Sequence, residues 1–506
     1  MRVDRLRYQY DFFVVDDFKV NSRLTVNLGL RYEYHPLWTE EAGLGAMFDI
    51  GSGKIVVQDG SLGKVSPLFP RAYVDVVEAK SVGLNGRTIV SNDRNNFAPR
   101  IGLAWRPWGN KTVFRAGYGI FFDVVPRNLT QGGLPFVLNE PAYTNPTVNP
   151  DVILPRVFPS TGGAGPSTVG LPAAINTGLQ MPYSMQYNVT LEHSRFDTGF
   201  RLSYVGTNTR KGDWSYDINA PVPDGRPYVD KPRRFPNYPG ISYFTNGAGH
   251  QYHGLTAEAE RKMARGLYFQ SSWVWARDIG DLERGGSPEN PFDRARERAV
   301  WPDIPTQRFS TNLFYQLPFG KGRSLMSNAN RLTDIIAGGW DISAIYSYYS
   351  NQFLTPAWSG PDPVGIAFTG SRTPANVTLR PDHLRNANLP DGQRTVSRWF
   401  DASAFGNLSA GLGRFGSSAK GVIKGPGVNV WHVGLFKTFA ITETIRLRWE
   451  ATGTNFFNHP NYSNPATNIS QLANVGVISG VGGVNGSSTG DQPGARSFRM
   501  GLRFEF

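Results

Sequence analysis

The sequence predicts an all-β fold, namely a transmembrane antiparallel β-barrel with long extracellular loops. Apolar and polar residues alternate over many stretches, the connections between these stretches are alternately short and long, and no apolar run of about 18 residues or more occurs. The alternation is clearest at residues 497–506, where one face carries the apolar side chains Phe498, Met500, Leu502, Phe504 and Phe506. A strand of about ten residues can cross a bilayer when it is tilted.

Composition agrees with this class. A chain of 506 residues has room for one large barrel, and a mean hydropathy of -0.33 is compatible with spanning because barrel strands alternate. The absence of Cys excludes disulfide scaffolds and thiolate metal sites, and it fits passage through an oxidising periplasm. The net charge of +12 is spread along the chain, which favours lipopolysaccharide or acidic solutes over nucleic acid as partners.

Six strand pairs and a final strand, about thirteen strands in all, are predicted along the chain. The pairs are predicted at 8–16 and 24–34, 97–105 and 114–122, 185–191 and 200–204, 255–264 and 267–275, 309–317 and 340–348, and 431–439 and 445–454. Residues 256–264 are also compatible with a short helix, because Ala, Glu, Lys and Met favour helices. A helical turn is predicted at 330–337.

Connection lengths predict the orientation of the barrel. The short connections are predicted at 17–22, 107–111, 194–199, 261–266, 318–339 and 440–444. The long ones are predicted at 35–96, 123–183, 208–251, 277–307, 350–428 and 456–495. If the C-terminus is periplasmic, every short turn lies in the periplasm and every long loop outside, as is the rule for bacterial outer-membrane barrels.

Charged residues follow the predicted faces of the strands. A lipid-facing Arg or Lys at the bilayer midplane costs about 2–4 kcal/mol, so charges are expected on the lumen face. The candidates for lumen or substrate contact are Arg31, Glu33, Arg100, Arg446, Arg448 and Glu450, which can equally satisfy one another in cross-strand pairs. Lipid-facing Trp105, Trp273, Trp431 and Trp449 are expected at the membrane interfaces. Lys437 breaks the pattern, and we expect it to snorkel to the headgroups.

The predicted loops contain large aromatic residues. Trp214, Trp301, Trp358 and Trp399 are candidates for stacking on sugars or other rings of a substrate. Packing within the loops themselves is the alternative role, and the sequence leaves both open.

Several stretches together resemble a known family. They are LTVNLGLRYEY at 24–34, NFAPRIGLAW at 96–105, FRAGYGIFFD at 114–123, YQLPFGKG at 315–322, GGW at 338–340, GPG at 425–427 and NFFNHP at 455–460. With these motifs the chain resembles the C-terminal barrel of TonB-dependent outer-membrane receptors, in particular the Oar-like group with an N-terminal carboxypeptidase-regulatory-like domain.

The resemblance implies a 22-stranded barrel around an N-terminal plug, a size that fits plugged transporters. Residues 1–506 would then be the C-terminal portion of the barrel domain, carrying its last thirteen strands or so. The first residues lack the apolar segment of a signal peptide, so we expect the signal peptide, the plug and the first strands to be absent from this chain.

The resemblance also implies a location, partners and a function. The location is the outer membrane of a Gram-negative-type bacterium. The partners are outer-membrane lipid and lipopolysaccharide, the TonB energy-coupling complex through the missing N-terminal region, the barrel assembly machinery and an unknown substrate. Phe506 resembles the family's assembly signal. The expected function is to move a large or scarce substrate across the outer membrane. A passive porin-like channel, a structural or adhesion protein without energy coupling, and a soluble secreted all-β protein remain alternatives.

Other chemistries are weakly indicated. Residues 411–416 match a dinucleotide-binding pattern, but no strand precedes them and no helix follows, so a glycine-rich loop is expected. Residues 51–54 lack the phosphate-loop spacing and are expected to form a turn. His250 and His253 are expected as a surface-loop pair without metal, and 278–298 as a solvated outer loop rather than a calcium site. No catalytic, metal or cofactor-binding residue is predicted, and no enzyme activity is expected.

Overall fold

One large antiparallel sheet dominates the structure. The computed structural model describes residues 4–67, 69, 71, 74–124, 133–137, 171–238, 240–442, 444–481 and 495–506. Within these residues, thirteen long strands follow one another in the sheet, each paired with the next along the chain. The described residues contain no helix that is long and apolar enough to cross a membrane.

The thirteen strands are numbered in chain order. They are β1 (Tyr10–Asn21), β2 (Leu24–Tyr34), β3 (Phe97–Trp105), β4 (Thr112–Phe122), β5 (Tyr183–Arg195), β6 (Thr198–Asp217), β7 (Ser242–Ala264), β8 (Leu267–Gly280), β9 (Gln307–Gln316), β10 (Trp340–Tyr349), β11 (Val428–Ala440), β12 (Arg446–Thr454) and β13 (Ser497–Glu505). One α-helix, α1 (Arg331–Ala337), precedes β10. The all-β, antiparallel fold class is confirmed.

Strand register brings the apolar residues onto one continuous face. Leu24 lies opposite Trp105 between β2 and β3, and Trp449 lies opposite Leu502 between β12 and β13. Side chains alternate along each strand, so each pairing extends the same apolar face to the neighbouring strand. β1 is less regular, because Asp16 lies opposite Leu28 on the apolar face.

The connections are alternately short and long, as predicted. The short ones are 22–23, 106–111, 196–197, 265–266, 317–339 and 441–445, and the long ones are 35–96, 123–182, 218–241, 281–306, 350–427 and 455–496. In the turn at 196–197, Phe196 and Asp197 have φ of 55° and 58°, which suits a tight two-residue hairpin. Residues 256–264 are strand rather than helix, and the predicted helical turn is α1, capped by the Asn330 side chain, which accepts from Thr333 N.

Several predicted connections were longer than the observed ones, including 194–199, 261–266 and 277–307, and two of them show why. The turn at 17–22 is only Ser22 and Arg23, because β1 continues to Asn21, whose Oδ1 accepts from Arg23 N and Leu24 N. The loop at 208–251 is only 218–241, because β6 and β7 stay paired beyond a bulge near Gly212. The alternation of apolar and polar residues disappears in the extensions of β6 and β7, whereas Phe18 and Val20 continue it in β1.

The sheet has two open edges within the described residues. β1 pairs with β2 only, every residue of β1 is exposed, and β13 pairs with β12 only. Thirteen is an odd number of antiparallel strands, so β1 and β13 run in the same direction. Direct closure of this sheet would therefore require a parallel pair.

Outer loops form a packed layer with short elements of their own. Its short strands include Thr39–Glu40, Ala46–Asp49, Lys54–Val57, Val76–Glu78, Ala174–Ile175, Ala299–Val300, Phe353–Leu354, Trp358–Pro361, Asn376–Leu379, Asp382–His383, Phe405–Gly406 and Ile423–Lys424. Its 3-10 turns include Leu62–Lys64, Ala79–Val82, Tyr228–Asp230, Arg294–Glu297, Asp391–Gln393 and Ala402–Ala404. Arg5–Leu6 pairs with Thr39–Glu40. Apolar clusters around Phe48, Met47 and Phe400 hold the layer together.

Candidate functional site

The polar face of the sheet carries a ladder of ion pairs. Glu192 on β5 accepts from Arg201 on β6 at 3.3 Å and from Arg115 on β4 at 3.5 Å. Arg201 also pairs with Glu258 on β7 at 3.1 Å. Alternate charges on adjacent strands satisfy one another, so this wall is polar without a large net charge. No motif in the sequence marks these residues.

Hydroxyl groups continue the same polar face. Ser184 bonds to Thr209 at 3.0 Å, and Ser272 bonds to Ser310 at 2.9 Å, in each case between side-chain oxygens of neighbouring strands. A cavity of about 1020 Å³ opens on this face between β4 and β9, near the short turns. The polar face thus carries hydroxyl groups as well as charges.

Four of the six predicted lumen residues form two separate groups of ion pairs. Arg31 pairs with Glu33 at 2.7 Å and with Asp11 of β1 at 3.1 Å. Arg448 pairs with Glu450 at 3.1 Å and lies over the Phe436 ring at 4.6 Å.

The other two predicted lumen residues make different contacts. Arg446 lies opposite Glu505 in the register, and the Arg100 guanidinium lies 4.6 Å from the centre of the Phe121 ring. Five of the six residues therefore contact a partner on the same face, whereas Arg446 lies opposite Glu505, which pairs with Arg503 at 3.7 Å. A role in substrate contact stays a prediction.

Near Arg31, three further groups meet that are typical metal ligands. Asp11, Glu33 and His35 bring one ligand atom each within 4.8 Å of one another. The Arg31 guanidinium already pairs with both carboxylates, and His35 Nε2 lies 2.9 Å from Asp11 Oδ1. The cluster is therefore an ion-pair network, in which His35 Nδ1 lies 4.0 Å from Glu33 Oε2 and makes no hydrogen bond within the described residues.

The four tryptophans that were predicted in loops have different surroundings, and Trp214 lies in the extension of β6 rather than in a loop. Trp358 is buried in the apolar cluster around Phe400, and Trp399 donates its Nε1–H to Lys424 O at 2.9 Å. Trp301 stacks on His250, with ring centres 5.2 Å apart, and lines a cavity of about 350 Å³. Trp214 lines a cavity of about 370 Å³.

The cavity at Trp214 combines aromatic rings with cations. The Trp214 and Tyr216 rings are stacked with centres 4.9 Å apart, and the Arg294 guanidinium lies 5.0 Å from the centre of the Trp214 ring. Phe292 and Arg298 also line the cavity. Arg294 pairs with Asp281, which also lines the cavity, at 3.1 Å. Stacked rings bind flat groups, and Arg298 would supply the guanidinium for a carboxylate, so the cavity suits a planar ligand with one anionic group.

A set of ion pairs around the buried side chains of Glu297 and Arg380, here called the loop clamp, joins two long loops. It consists of Glu289, Arg296 and Glu297 in loop 281–306 and Arg380 and Lys420 in loop 350–427. Arg380 Nη2 lies 2.9 Å from Glu289 Oε2 and 2.8 Å from Glu297 Oε1, and Lys420 Nζ lies 2.7 Å from Glu297 Oε2. The expectation of a solvated loop at 278–298 is therefore wrong for these charges, because partners from a distant segment bury them.

Further polar contacts, some near the surface and some buried, also hold the loop layer. Arg414 forms a bidentate ion pair with Asp382, with Nη1 2.7 Å from Oδ1 and Nη2 2.8 Å from Oδ2. Hydrogen bonding from Arg414 holds the pKa of the Asp382 carboxyl below its usual range. Burial lowers the pKa of Lys231, whose ammonium lies 3.0 Å from Asp224 O and also contacts Val364 O.

The histidine pair lies in a strand rather than in a loop. His250 and His253 are both in β7, an odd number of residues apart, so their side chains point to opposite faces. His250 pairs with Asp278 at 3.5 Å, whereas His253 Nδ1 lies 2.7 Å from the Tyr204 hydroxyl. The glycine-rich residues 411–416 form a loop, as expected, and 51–53 form a turn before Lys54–Val57.

A family model described as "Outer membrane beta barrel domain" matches residues 2–497, nearly the whole chain. The chain belongs to this outer membrane beta barrel family. The predicted location in the outer membrane of a Gram-negative-type bacterium is confirmed. In such a barrel the apolar face of the sheet contacts lipid, the short turns are periplasmic and the long loops are extracellular.

Several solved outer-membrane proteins are similar to this outer membrane barrel at low identity. The ferripyoverdine receptor of Pseudomonas aeruginosa is 8% identical with a TM-score of 0.42, covering 100% of this chain and 39% of the receptor. The FrpB iron transporter from Neisseria meningitidis is 12% identical with a TM-score of 0.39, covering 100% of this chain and 46% of the transporter. The ferric enterobactin receptor of Pseudomonas aeruginosa is 13% identical with a TM-score of 0.40, covering 98% of this chain and 45% of the receptor.

The chain thus spans less than half of the length of these solved structures. A search of curated protein sequences found no match to it.

Lys437 on the lipid-facing side of the barrel has partners that the sequence did not indicate. Its Nζ donates to Ile336 O at 3.3 Å and to Gly338 O, at the C-terminal end of α1. The Trp340 and Phe439 rings flank the ammonium at 5.1 Å and 5.2 Å. The expectation that Lys437 snorkels to the headgroups is wrong. Carbonyl oxygens at the end of α1 accept hydrogen bonds from its ammonium group, and two aromatic rings make cation–π contacts with it.

Proposed function

We propose that the chain is the C-terminal barrel part of a TonB-dependent receptor of the Oar-like group, which moves a large or scarce substrate across the outer membrane. Family membership and the motifs at 24–34, 96–105 and 455–460 support the proposal. The observation that carries it is the loop layer, in which long extracellular loops are packed and clamped above a polar barrel wall. A preorganised layer suits ligand capture, because loops that are already ordered lose little conformational entropy when a ligand binds.

The open edges of the sheet indicate that further strands complete the barrel. Bacterial outer-membrane barrels have an even number of strands, and thirteen strands leave β1 and β13 without a second neighbour among the described residues. We therefore propose that further strands belong to the whole protein, together with the plug and signal peptide that the family resemblance implies. Its partners would be outer-membrane lipid, lipopolysaccharide, the TonB complex and the barrel assembly machinery, with Phe506 in the assembly signal.

Two measurements on the full-length protein test the transport proposal. In planar bilayers with KCl, we expect no steady open channel, since a plug fills the lumen, whereas a porin measured alongside conducts steadily. Steady ohmic conductance would favour the passive porin. Binding of the full-length protein to the periplasmic domain of TonB from the same bacterium is also expected. Its absence would favour a structural or adhesion protein without energy coupling.

The cavity at Trp214 supports a first step of capture for a substrate that carries a planar anionic group. Titration of the full-length protein with 4-hydroxybenzoate, with cyclohexanecarboxylate as the non-planar probe, tests this. We expect saturable binding of the aromatic acid only, and a loss of about tenfold or more in Trp214→Leu, because base or ring stacking on Trp is worth roughly 1–3 kcal/mol. Trp108→Leu is the control, since Trp108 is 73% exposed in the periplasmic turn 106–111. Equal binding of both acids, or an equal effect of both substitutions, would contradict the assignment.

A further inference from the structure

The periplasmic connection between β9 and β10 carries exposed apolar side chains. In α1, Leu332 is 75% exposed, Ile335 is 46% exposed and Ile336 is 74% exposed. Residues three and four apart lie on the same side of a helix, so these three side chains form one apolar face. Exposed Phe319, Leu325 and Met326 lie in the same connection.

Contacts at the end of α1 place the helix beside the outer, lipid-facing surface of the barrel. Trp340, at the start of β10, donates its Nε1–H to Ile336 O at 2.9 Å. Lys437 lies opposite Trp340 on β11 and donates to Ile336 O and Gly338 O. Trp340 and Lys437 both belong to the face of the sheet that contacts lipid, so the C-terminal end of α1 meets the barrel there rather than beneath the lumen.

The same contacts indicate how deep the helix lies. Trp340 and Trp449 are neighbouring lipid-facing rings with centres 6.2 Å apart, close to the periplasmic ends of their strands. Tryptophan rings at strand ends mark the membrane–water interface. An indole N–H at this depth ordinarily bonds to headgroups or water, whereas here the helix supplies the acceptor. The end of α1 therefore occupies the headgroup level.

Basic residues lie in the same connection as the apolar face of α1. Connection 317–339 contains three basic residues, Lys321, Arg323 and Arg331, and one acidic residue, Asp334. The Asp334 carboxylate is hydrogen-bonded within the connection, since its Oδ1 accepts from Lys321 N at 2.6 Å. The three basic side chains remain exposed and available to phosphate groups.

We propose that α1 is an interfacial anchor, which inserts Leu332, Ile335 and Ile336 into the periplasmic leaflet of the outer membrane. The occupant of its apolar face is phospholipid, at the boundary of headgroups and acyl chains. The face is continuous with the lipid-facing surface of β10 and β11, and amphipathic helices with basic flanks bind in this manner.

Site-directed spin labelling of the full-length protein in phospholipid bilayers tests the anchor, and this chain offers no cysteine that would compete for the label. Labels are placed at Leu332→Cys and Ile336→Cys, with Asn328→Cys as the exposed control in the same connection and Leu502→Cys as the lipid-facing reference. Collision rates with oxygen and with a neutral nickel chelate are then measured.

We expect the oxygen-to-nickel ratio at positions 332 and 336 to exceed that at 328 several-fold and to approach that at 502. A ratio equal to that at 328 would overturn the proposal, because the face would then be in water. Shielding from both reagents would also overturn it, since protein rather than lipid would cover the helix. The double variant Leu332→Ser with Ile336→Ser, labelled at Ile335→Cys, is expected to lower the ratio at position 335. An unchanged ratio there would show that these apolar side chains do not hold the helix in the leaflet.

Discussion

At the scale of single residues, the two faces of the strands impose different requirements. Lys437 is tolerated on the lipid-facing side because carbonyl oxygens of Ile336 and Gly338 accept its charge. Ser271 and Thr311 lie among apolar neighbours on that side, and they bond to each other at 2.5 Å. Polar groups in lipid need partners within the protein, because no water is present to supply them.

The face assignment predicts opposite sensitivities for two adjacent residues of β13. Leu502 is on the lipid-facing side, 68% exposed, whereas Arg503 is on the polar side and pairs with Glu505 at 3.7 Å. We expect Leu502→Arg to destabilise the folded barrel by about 2–4 kcal/mol, because it places a charge in lipid. Arg503→Ala is expected to have a mild effect. Equilibrium unfolding of the full-length protein in lipid vesicles measures both, and equal effects would contradict the assignment.

At the scale of elements, the loops are ordered by contacts between segments that are distant in sequence. The loop clamp joins Glu297 to Arg380 and Lys420, and the Arg380 and Glu297 side chains are only 6% and 2% exposed. Such pairs are costly to desolvate, and removing one partner leaves a buried charge without compensation. The clamp therefore makes two extracellular loops depend on each other.

Removal of Glu297 tests this dependence. Glu297→Ala leaves Arg380 and Lys420 with less compensation, so we expect local opening of loop 350–427 to become easier by roughly 3–5 kcal/mol. Hydrogen exchange followed by mass spectrometry would show faster exchange in that loop, with the strands unchanged. Glu283→Ala is the control, since Glu283 is exposed in the same loop as Glu297. Similar exchange in both variants would mean that the clamp does not order the loops.

At the scale of the whole molecule, the sheet is a meander with two open edges in the part of the chain that the structure describes. Each strand pairs with its sequence neighbour in antiparallel order, so successive connections lie at opposite ends of the sheet, with the short ones at one end and the long ones at the other. Exposed strand edges promote association unless they are paired or covered. Additional strands between β13 and β1 would remove both edges.

Expression of residues 1–506 alone tests the need for these strands. We expect the isolated segment, refolded in detergent or lipid, to lack the heat-dependent mobility shift that a closed barrel shows on gels, because its strand number permits only parallel closure. The full-length protein, treated identically, is expected to show the shift. A monomeric, heat-modifiable and protease-resistant barrel formed by the segment alone would contradict this prediction.

The sequence by itself determined the strands, their faces and the orientation of the connections. A period of two is a local property, and the lipid makes it strict, so the apolar positions from Leu24 to Leu502 could be assigned without a structure. The signal weakens beyond the membrane, which is why the extensions of β6 and β7 were missed.

Only the tertiary structure decided which loop residues meet. Trp358 and Trp214 look alike in sequence, yet one is buried in an apolar cluster and the other lines a cavity beside Arg294. The loop clamp brings Glu289 into contact with Arg380, 91 positions later in the chain. The carbonyl oxygens that accept hydrogen bonds from Lys437 belong to residues about 100 positions earlier, at the end of α1. Such contacts depend on how distant segments fold over one another, and no local pattern of residues encodes them.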